Sequence, residues 1–336
     1  MIKILRFFIF GFFRWLIIVS TIFIFSSIAL VTYIYQIEPQ WIQIKNLDIT
    51  LPNLEENFEG WRILQVSDIH INQWMTEERL TNIVNLINEQ QPDIIVLTGD
   101  FFSQSGSYST RLDRLEERII PKIPYAEEHP SLIKRFLNKA GFPIQDTPRR
   151  RYFDDDQITL INSLSKLKPH YKSFAILGNH DYATSHKLVR EGLKDSDIIT
   201  LRNRVYTIEN NSSYLNIIGV DDVLYGKDDL DSVLTQIPDK GANILLVHEP
   251  DFAVLAWKTH RFQLQLSGHS HGGQIKIPFR KPPFLPPYGQ QFPEGLYRFS
   301  DLLLYTNRGV GMAYPYIRFN CRPEITIFTL HSAKDN

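Results

Sequence analysis

The longest apolar stretch of the chain lies close to its amino terminus. From Trp15 to Tyr35, 21 consecutive residues carry no charge. As a helix this stretch would be about 31 Å long, close to the roughly 30 Å of a bilayer hydrocarbon core. A cleaved signal peptide is the rival interpretation, but its apolar region is usually only about 7–15 residues long. The pattern therefore predicts an uncleaved transmembrane helix, with residues 1–40 as cytoplasmic tip and anchor.

The charges that flank this stretch predict its orientation. Lys3, Arg6 and Arg14 precede it, and Glu38 is the first charged residue after it. Basic residues favour the cytoplasmic side of a membrane. We therefore expect a single-pass protein of the cell membrane whose main domain is extracytoplasmic, with the cytoplasmic face as the alternative.

Shorter apolar runs follow, and most end in a polar turn. An edge strand is expected at 42–49, and the helical pattern of Thr76 to Glu89 places Leu80, Ile83 and Ile87 on one face. The remaining runs predict strands at 62–66, 94–97, 174–177, 215–220, 244–247 and 262–266. Strands alternating with helices predict an α/β fold, in which ligands bind at the strand ends.

Two regions interrupt this rhythm within the domain expected at 41–336. Residues 103–156 exceed what one connecting helix needs, and their 130–152 segment combines basic residues with a possible apolar face at Leu132, Ile133, Phe136 and Leu137. We interpret this insertion as a lid or membrane-contact segment, with a solvated linker as the alternative. The proline-rich stretch Ile277 to Pro293 predicts a rigid loop.

Composition narrows the class of protein. Hydrophobic residues make up 43% of the chain and charged residues 22%, which is typical of a globular protein. The net charge of -1 gives no reason to expect nucleic acid as a partner. The single cysteine, Cys321, excludes an intramolecular disulfide but does not decide the compartment.

The polar turns carry a set of residues that suits metal binding. Asp68 and His70, two residues apart, share one face of an extended segment. Each motif alone is commonly a chance occurrence or a structural turn, but five in series at strand ends indicate a joint function. Carboxylate, imidazole and amide ligands together suit Mn, Fe, Zn or Co. The residues of these turns with suitable side chains are Asp68, His70, Asp100, Asn179, His180, Asp181, His248, His269 and His271.

The order SDIH, TGD, GNHD, H and GHSH resembles the calcineurin-like metallophosphoesterase superfamily, over residues 61–271. The segments SGHSHGGQ, YTNRGVG at 305–311 and CRPEI at 321–325 are similar to the bacterial membrane-associated branch, which includes UDP-diacylglucosamine pyrophosphohydrolases. This resemblance implies a four-layer α/β/β/α sandwich with two divalent metal ions (Mn, Fe, Zn or Mg) at the strand ends.

The resemblance also implies roles for individual residues. One metal would be held by Asp68, His70 and His271, the other by Asn179, His248 and His269, with Asp100 bridging both. His180 would be a catalytic acid oriented by Asp181. Apart from the resemblance, Asn307 and Arg308 in the NRG turn near the carboxyl end are expected to donate to a phosphate, with a solvated or structural arginine as the alternative.

The function expected from these observations is hydrolysis of a phosphoester or pyrophosphate bond by a metal-activated hydroxide. The anchor favours a membrane partner and a lipid-linked substrate such as UDP-diacylglucosamine. That substrate is made on the cytoplasmic face, so an extracytoplasmic domain would instead favour another phosphodiester or lipid pyrophosphate. The alternatives are a general phosphodiesterase or phosphatase for soluble or cell-surface substrates, and a non-catalytic scaffold.

Overall fold

The computed structural model describes residues 2–103 and 148–333, and for residues 2–9, 148–154 and 156 it describes the helical backbone alone. The first helix, α1, runs from Ile2 to Thr32 and continues as a π-helical turn, Tyr33–Ile37, and a 3-10 turn, Glu38–Gln40. Its most apolar window has a mean hydropathy of 2.3 and buries no residue in the protein. The helix thus contains the predicted span and fits a single-pass membrane anchor.

Strands and helices then alternate along the described chain. In order they are β1 (Gln43–Leu51), β2 (Arg62–Val66), α2 (Glu77–Glu89), β3 (Ile94–Thr98), α3 (Pro148–Leu164), β4 (Lys172–Ile176), α4 (Asn179–Thr184), α5 (His186–Asp195), β5 (Ile198–Thr200), β6 (Arg204–Asn210), β7 (Ser213–Gly219), α6 (Leu230–Gln236), β8 (Ala242–Leu246), α7 (Ala253–Lys258), β9 (Leu264–Ser267), β10 (Gly295–Arg298), β11 (Leu303–Thr306) and β12 (Glu324–Ser332). Every predicted strand is present within two residues of its expected ends.

The strands form two six-stranded sheets. The first has the order β1-β12-β2-β3-β4-β5, and the second has the order β10-β11-β9-β8-β7-β6. Strands β2 to β5 run parallel to one another, as do β7, β8, β9 and β11. Consequently each sheet gathers the carboxyl ends of several strands at one edge.

Burial on both faces explains why the inner strands are predominantly apolar. Alternate residues of β3 point to different cores: Val96 packs between the two sheets, and Ile95 packs against the helices outside. Helices α2, α3 and α5 cover the first sheet, whereas α6 and α7 cover the second. The predicted four-layer α/β/β/α sandwich is therefore confirmed.

The hydrophobic stripe of α2 faces the core as expected. Leu80, Ile83, Val84 and Ile87 are all buried, and the Thr76 side chain caps the helix by accepting a hydrogen bond from the Arg79 amide at 3.4 Å. A threonine in this position accepts one of the amide hydrogens that the first turn leaves unpaired.

The proposed 103–156 insertion is described only at its ends. Helix α3 begins at Pro148, so the expected boundary at residue 156 falls inside a helix that continues to Leu164. The basic segment 130–152, with its apolar face, lies almost entirely outside the described residues. Its role as a lid or membrane contact stays a prediction.

Candidate metal centre

The chemistry-bearing turns meet at one end of the sandwich. Asp68 and His70 follow β2, Asp100 follows β3, and Asn179 opens α4 directly after β4. From the second sheet, His248 follows β8, while His269 and His271 follow β9. Because these strands are parallel within stacked sheets, their carboxyl ends bring the seven side chains together.

The first group consists of Asp68, His70 and His271. One potential ligand atom from each lies within 4.8 Å of the others, and all three residues are buried. The His271 Nε2 atom lies 3.0 Å from His70 Nε2 and 3.4 Å from Asp68 Oδ1. One N–H···N bond would use the lone pair of only one ring, whereas a cation could accept the lone pairs of both.

The second group consists of Asp100, His248 and His269, again with ligand atoms within 4.8 Å of one another. The His248 Nε2 atom lies 3.2 Å from Asp100 Oδ2, which is in turn 3.6 Å from His70 Nε2 of the first group. The Asn179 Oδ1 atom is buried without a hydrogen-bond partner among the described residues. Asp100 therefore lies between two sets of potential ligands.

Backbone carbonyl groups determine which imidazole nitrogen of the second group is free to bind a metal. His248 places Nδ1 2.7 Å from the Thr98 carbonyl oxygen, and His269 places Nε2 2.8 Å from the Pro287 carbonyl oxygen. Since a carbonyl can only accept, the nitrogen that faces it carries the hydrogen. His248 thus presents the lone pair of Nε2 and His269 that of Nδ1, an arrangement common in metal sites.

The electrostatics of the two groups fit bound cations. Burial, together with the neighbouring His180, lowers the pKa of His70 to about 3, and burial also lowers the pKa of His271 well below its usual value. These imidazoles are therefore neutral, as a metal ligand must be. Burial raises the pKa of Asp68 to about 7, because removal from water disfavours the charged carboxylate, and the nearby Asp100 raises the pKa further. Divalent cations would bind the buried polar atoms that lack partners among the described residues, and would neutralise the carboxylates of Asp68 and Asp100.

Asp100 and His248 influence each other strongly. Burial alone would raise the pKa of Asp100 and lower that of His248. Their mutual attraction, together with His180 and His70 around Asp100 and with Asp68 and Glu249 around His248, outweighs burial, so that the pKa of Asp100 is lowered and the pKa of His248 is raised. Asp100 consequently carries a full negative charge at the centre of the site.

Close backbone packing explains two of the glycines in the motifs. A Cβ atom at Gly178 would lie 2.3 Å from Asp100 Oδ1, and one at Gly268 would lie 1.8 Å from Ser67 Oγ. Neither position can accept a side chain without moving a ligand loop. Several ligands themselves adopt positive φ angles, including Asp68 at 53° and Asp100 at 57°. Such strained backbone is concentrated at functional sites.

His180 lies at the rim of this centre. One of its ring nitrogens lies within 4.8 Å of ligand atoms of His70 and Asp100, and it is only partly buried where they are fully buried. Its backbone amide donates to Asp100 Oδ1 at 2.8 Å. Proximity alone therefore does not separate a ligand from an acid at this position, but its exposure suits contact with substrate.

The carboxylate of Asp181, predicted to orient His180, accepts hydrogen bonds from four backbone amides. Its Oδ2 atom accepts hydrogen bonds from the amides of Asp100 and Gly178, both at 3.0 Å. Its Oδ1 atom accepts from the amides of Phe101 at 2.8 Å and Phe102 at 3.1 Å. The carboxylate therefore braces the turn that carries Asp100, and the orientation of His180 by Asp181 stays a prediction.

Asn307 and Arg308, predicted to bind the substrate phosphate, form hydrogen bonds within the protein that fit the structural alternative. Asn307 donates to Thr326 Oγ1 at 3.0 Å and accepts from the Gly309 amide at 2.7 Å. Arg308 forms a buried ion pair with Glu324, whose Oε2 accepts from Arg308 Nε at 2.8 Å. The chain beyond them donates from Gly311 to the Asp68 carbonyl at 2.8 Å. These contacts place both side chains behind the Asp68 turn, where they support its shape.

Sequence reasoning missed a connection between the apolar amino-terminal helix and the site. Glu38, fully buried after α1, accepts hydrogen bonds from the amides of Asn320, at 2.9 Å, and Cys321. The Cys321 thiol donates to the carbonyl oxygen of His271 at 3.2 Å. Two signals in the sequence could have pointed to this contact: Glu38, the acid directly after the apolar stretch, and the single cysteine, Cys321.

A fully buried arginine holds the same region. Arg318 donates to the carbonyl oxygens of Arg308, Gly309 and Gly311, at distances of 2.7 to 3.1 Å, and to that of Cys321 at 3.0 Å. Burial lowers its pKa. The guanidinium thereby joins the turn behind Asp68 to the segment that contacts the helix end.

Comparison with known proteins identifies the class. A family model described as calcineurin-like phosphoesterase matches residues 62–133. The chain is also 32% identical over 302 residues to the uncharacterized metallophosphoesterase YkuE of Bacillus subtilis (strain 168), and the match covers 89% of both chains. The chain belongs to the metallophosphoesterase family and is a hydrolase of phosphoester bonds, with a ligand cluster that suits divalent metals.

Two further relatives resemble nearly the whole chain. Phosphodiesterase YaeI of Escherichia coli (strain K12) is 27% identical over 306 residues, covering 89% of this chain and 92% of the relative. The UDP-2,3-diacylglucosamine pyrophosphatase LpxG of Chlamydia muridarum (strain MoPn / Nigg) is 26% identical over 340 residues, covering 92% and 96%.

Proposed function

We propose that this chain is a membrane-anchored phosphohydrolase with two divalent metal ions, which cleaves a phosphoester or pyrophosphate bond in a lipid-linked substrate. Asp68, His70 and His271 would hold one ion. Asn179, His248 and His269 would hold the other, and Asp100 would contact both. The proposal is supported by the two ligand groups and by the position of Asp100 between them.

In this proposal, the seven ligand side chains bind the cations and His180 transfers a proton. Bound divalent cations would supply positive charge against the phosphate oxygens and lower the pKa of a water molecule. His180, the only partly buried imidazole of the cluster, can approach the leaving group and donate a proton to it. Asp181 keeps the Asp100 turn in place through four amide hydrogen bonds.

The observation that carries the lipid-linked substrate is the short path from membrane to metal centre. Glu38 lies directly after the apolar helix and binds the Cys321 amide, and the Cys321 thiol binds the carbonyl of the ligand His271. Two contacts therefore connect the end of α1 with the site. A phosphate in the head-group region of the same bilayer would lie close to these ligands.

The relatives and the flanking charges bear on the particular substrate. LpxG is a UDP-2,3-diacylglucosamine pyrophosphatase, which supports a nucleotide-linked lipid as one candidate. The basic residues before the helix favour an extracytoplasmic domain. On that side of the membrane, a lipid pyrophosphate or another phosphodiester is the better candidate. A reporter fused after the carboxyl terminus will locate the domain.

A substrate panel tests the proposal. The full chain, reconstituted in lipid nanodiscs with added Mn²⁺, is assayed against a nucleotide-linked lipid, a lipid pyrophosphate, a phospholipid and a soluble aryl phosphodiester. We expect metal-dependent cleavage, fastest with one of the lipid-linked compounds. Equal rates on soluble and lipid-linked compounds would contradict the lipid assignment, and absence of any metal-dependent cleavage would contradict the enzyme assignment.

Substitutions distinguish metal ligands from the proton donor His180. We expect Asp100→Asn to lose metal and nearly all turnover, and His180→Ala to keep metal but lose rate. General acid–base catalysis is typically worth about 10²–10⁴-fold in rate. His170→Ala, at an exposed histidine paired with Asp93, serves as the matched control. Equal metal loss in the first two variants would show that His180 is a ligand.

The second candidate is a general phosphodiesterase on an anchor. The similarity to phosphodiesterase YaeI supports it. This function predicts that the rate on soluble diesters is the same in detergent and in nanodiscs, a comparison the same panel provides.

A further inference from the structure

An unusual set of exposed side chains lies between the end of α1 and the metal centre. The proline-rich loop presents Phe279 at 106% and Phe284 at 65% relative exposure, with the exposed bases Arg280 and Lys281 between them. Nearby in the fold, Tyr314 is 86% exposed. We call these five residues the aromatic–basic surface.

The backbone at Phe279 indicates that this exposure is built into the loop. Phe279 has a φ angle of 63°, which is rare for a bulky residue. Proline residues at 278, 282 and 283 restrict the chain on both sides of it. The strained backbone and the exposed ring both destabilise the isolated protein. We therefore expect Phe279 to contact a partner surface, where burial of the ring offsets this cost.

Hydrogen bonds connect this surface to the end of the membrane helix. Lys276, at the start of the loop, donates from its amide to the Phe319 carbonyl at 2.8 Å. One residue earlier, the Arg318 amide donates to the Ile34 carbonyl of the helix at 3.1 Å. Gln274 Nε2 donates to the Pro315 carbonyl at 2.6 Å, which ties the Tyr314 turn to the same place.

At its other end the loop contacts the metal centre. The Pro287 carbonyl accepts the hydrogen bond from His269 Nε2 at 2.8 Å. Pro282 packs so close to Gly273 that a Cβ there would lie 2.2 Å from it. The loop therefore extends from the segment that contacts the end of the apolar helix to His269, a predicted metal ligand.

We propose that the aromatic–basic surface rests in the interface of an anionic lipid bilayer, the same bilayer that α1 spans. Aromatic side chains prefer the membrane–water interface, and basic residues are attracted to anionic head groups. The aromatic side chains continue those at the helix exit, where Trp41 is 53% exposed and stacks with Arg322 at 4.0 Å. The assignment goes beyond the proposed substrate, because it describes how the domain sits on the membrane whatever bond it cleaves.

Lipid-depth quenching tests this surface in the intact protein. Phe279→Cys and Tyr314→Cys are each labelled with a fluorophore, and the full chain is reconstituted in vesicles of phosphatidylglycerol and phosphatidylcholine that carry a nitroxide just below the head groups. The native Cys321 is buried, so an unmutated chain shows the background labelling. Ser212→Cys is the matched control, because Ser212 is exposed before β7, at the opposite end of the strand from the metal centre.

We expect quenching several-fold greater at Phe279 and Tyr314 than at Ser212. Quenching at both positions no greater than at Ser212 would overturn the proposal. The combined Arg280→Glu and Lys281→Glu change should reduce quenching at Phe279 in anionic vesicles. Unchanged quenching in that variant would overturn the anionic part. Because quenching requires no substrate, these results are independent of whether the lipid-linked substrate is correct.

Discussion

Replacing Asp181 with asparagine tests what holds the central carboxylate in place. The two oxygens of Asp181 accept hydrogen bonds from four backbone amides, those of residues 100, 101, 102 and 178. Asparagine has one acceptor oxygen, and its NH₂ group would face amide hydrogens. In Asp181→Asn, the two backbone amides that face the NH₂ group would therefore lose their acceptor. The NH₂ group would also lack an acceptor for its own hydrogens.

The magnitude follows from these bonds. Burial raises the pKa of Asp181 to about 7, so its carboxylate is fully charged only at higher pH, where the comparison is made. A hydrogen bond to a charged group contributes about 1.5–3 kcal/mol, so two lost bonds correspond to about 3–6 kcal/mol. For a domain of this size, each kcal/mol shifts the melting temperature by about 2–4 °C. We therefore expect Asp181→Asn to lower the melting temperature by at least about 6 °C. Metal affinity should fall as well, since the Asp100 turn loses its support.

The assay is thermal unfolding of the full chain in detergent, measured with chelator and with Mn²⁺, beside a metal-binding titration. Asp239→Asn is the matched control, because Asp239 is exposed in a surface turn. An unchanged melting temperature combined with a large loss of turnover would refute the bracing role. That outcome would instead support orientation of His180 by Asp181.

Three further predictions concern the metal centre and its link to the membrane. Chelation should destabilise the protein by about 2.7 kcal/mol relative to metal at 100 times its Kd; a melting curve insensitive to chelator and returned Mn²⁺ would contradict a metal site. Gly178→Ala should abolish metal binding, because its Cβ would lie 2.3 Å from Asp100 Oδ1, whereas Gly11→Ala, with nothing within 4 Å, should bind metal normally in a titration. Glu38→Gln should weaken the two amide bonds to residues 320 and 321. In nanodisc assays it should slow cleavage of lipid-linked substrate more than of soluble diester, and equal slowing would argue against the membrane link.

Local pattern was sufficient to predict the inner elements of the fold. Strands β2, β3, β4, β7, β8 and β9 are buried on both faces and therefore appear as predominantly apolar runs, with single polar residues such as Gln65, Asn216 and Gln265 inside them. Helix α2 was predictable from its amphipathic stripe and its threonine cap. Strand β10 was missed because its residues alternate between exposed and half-buried, and β5 was missed because it has only three residues. Strands β6, β11 and β12 lie near the sheet edges or the carboxyl end, outside the motif series that guided the prediction.

The sequence by itself determined the family, the residue types of the candidate ligand set and the apolar amino-terminal helix, because each depends on residue types at short spacing. Tertiary structure alone decided the partners of Asp181, Asn307 and Arg308, whose polar atoms bind groups that no local pattern specifies. It also decided the path from Glu38 through Cys321 to His271. That path joins residues more than two hundred positions apart, and only the folded backbone brings their donors and acceptors within hydrogen-bond distance.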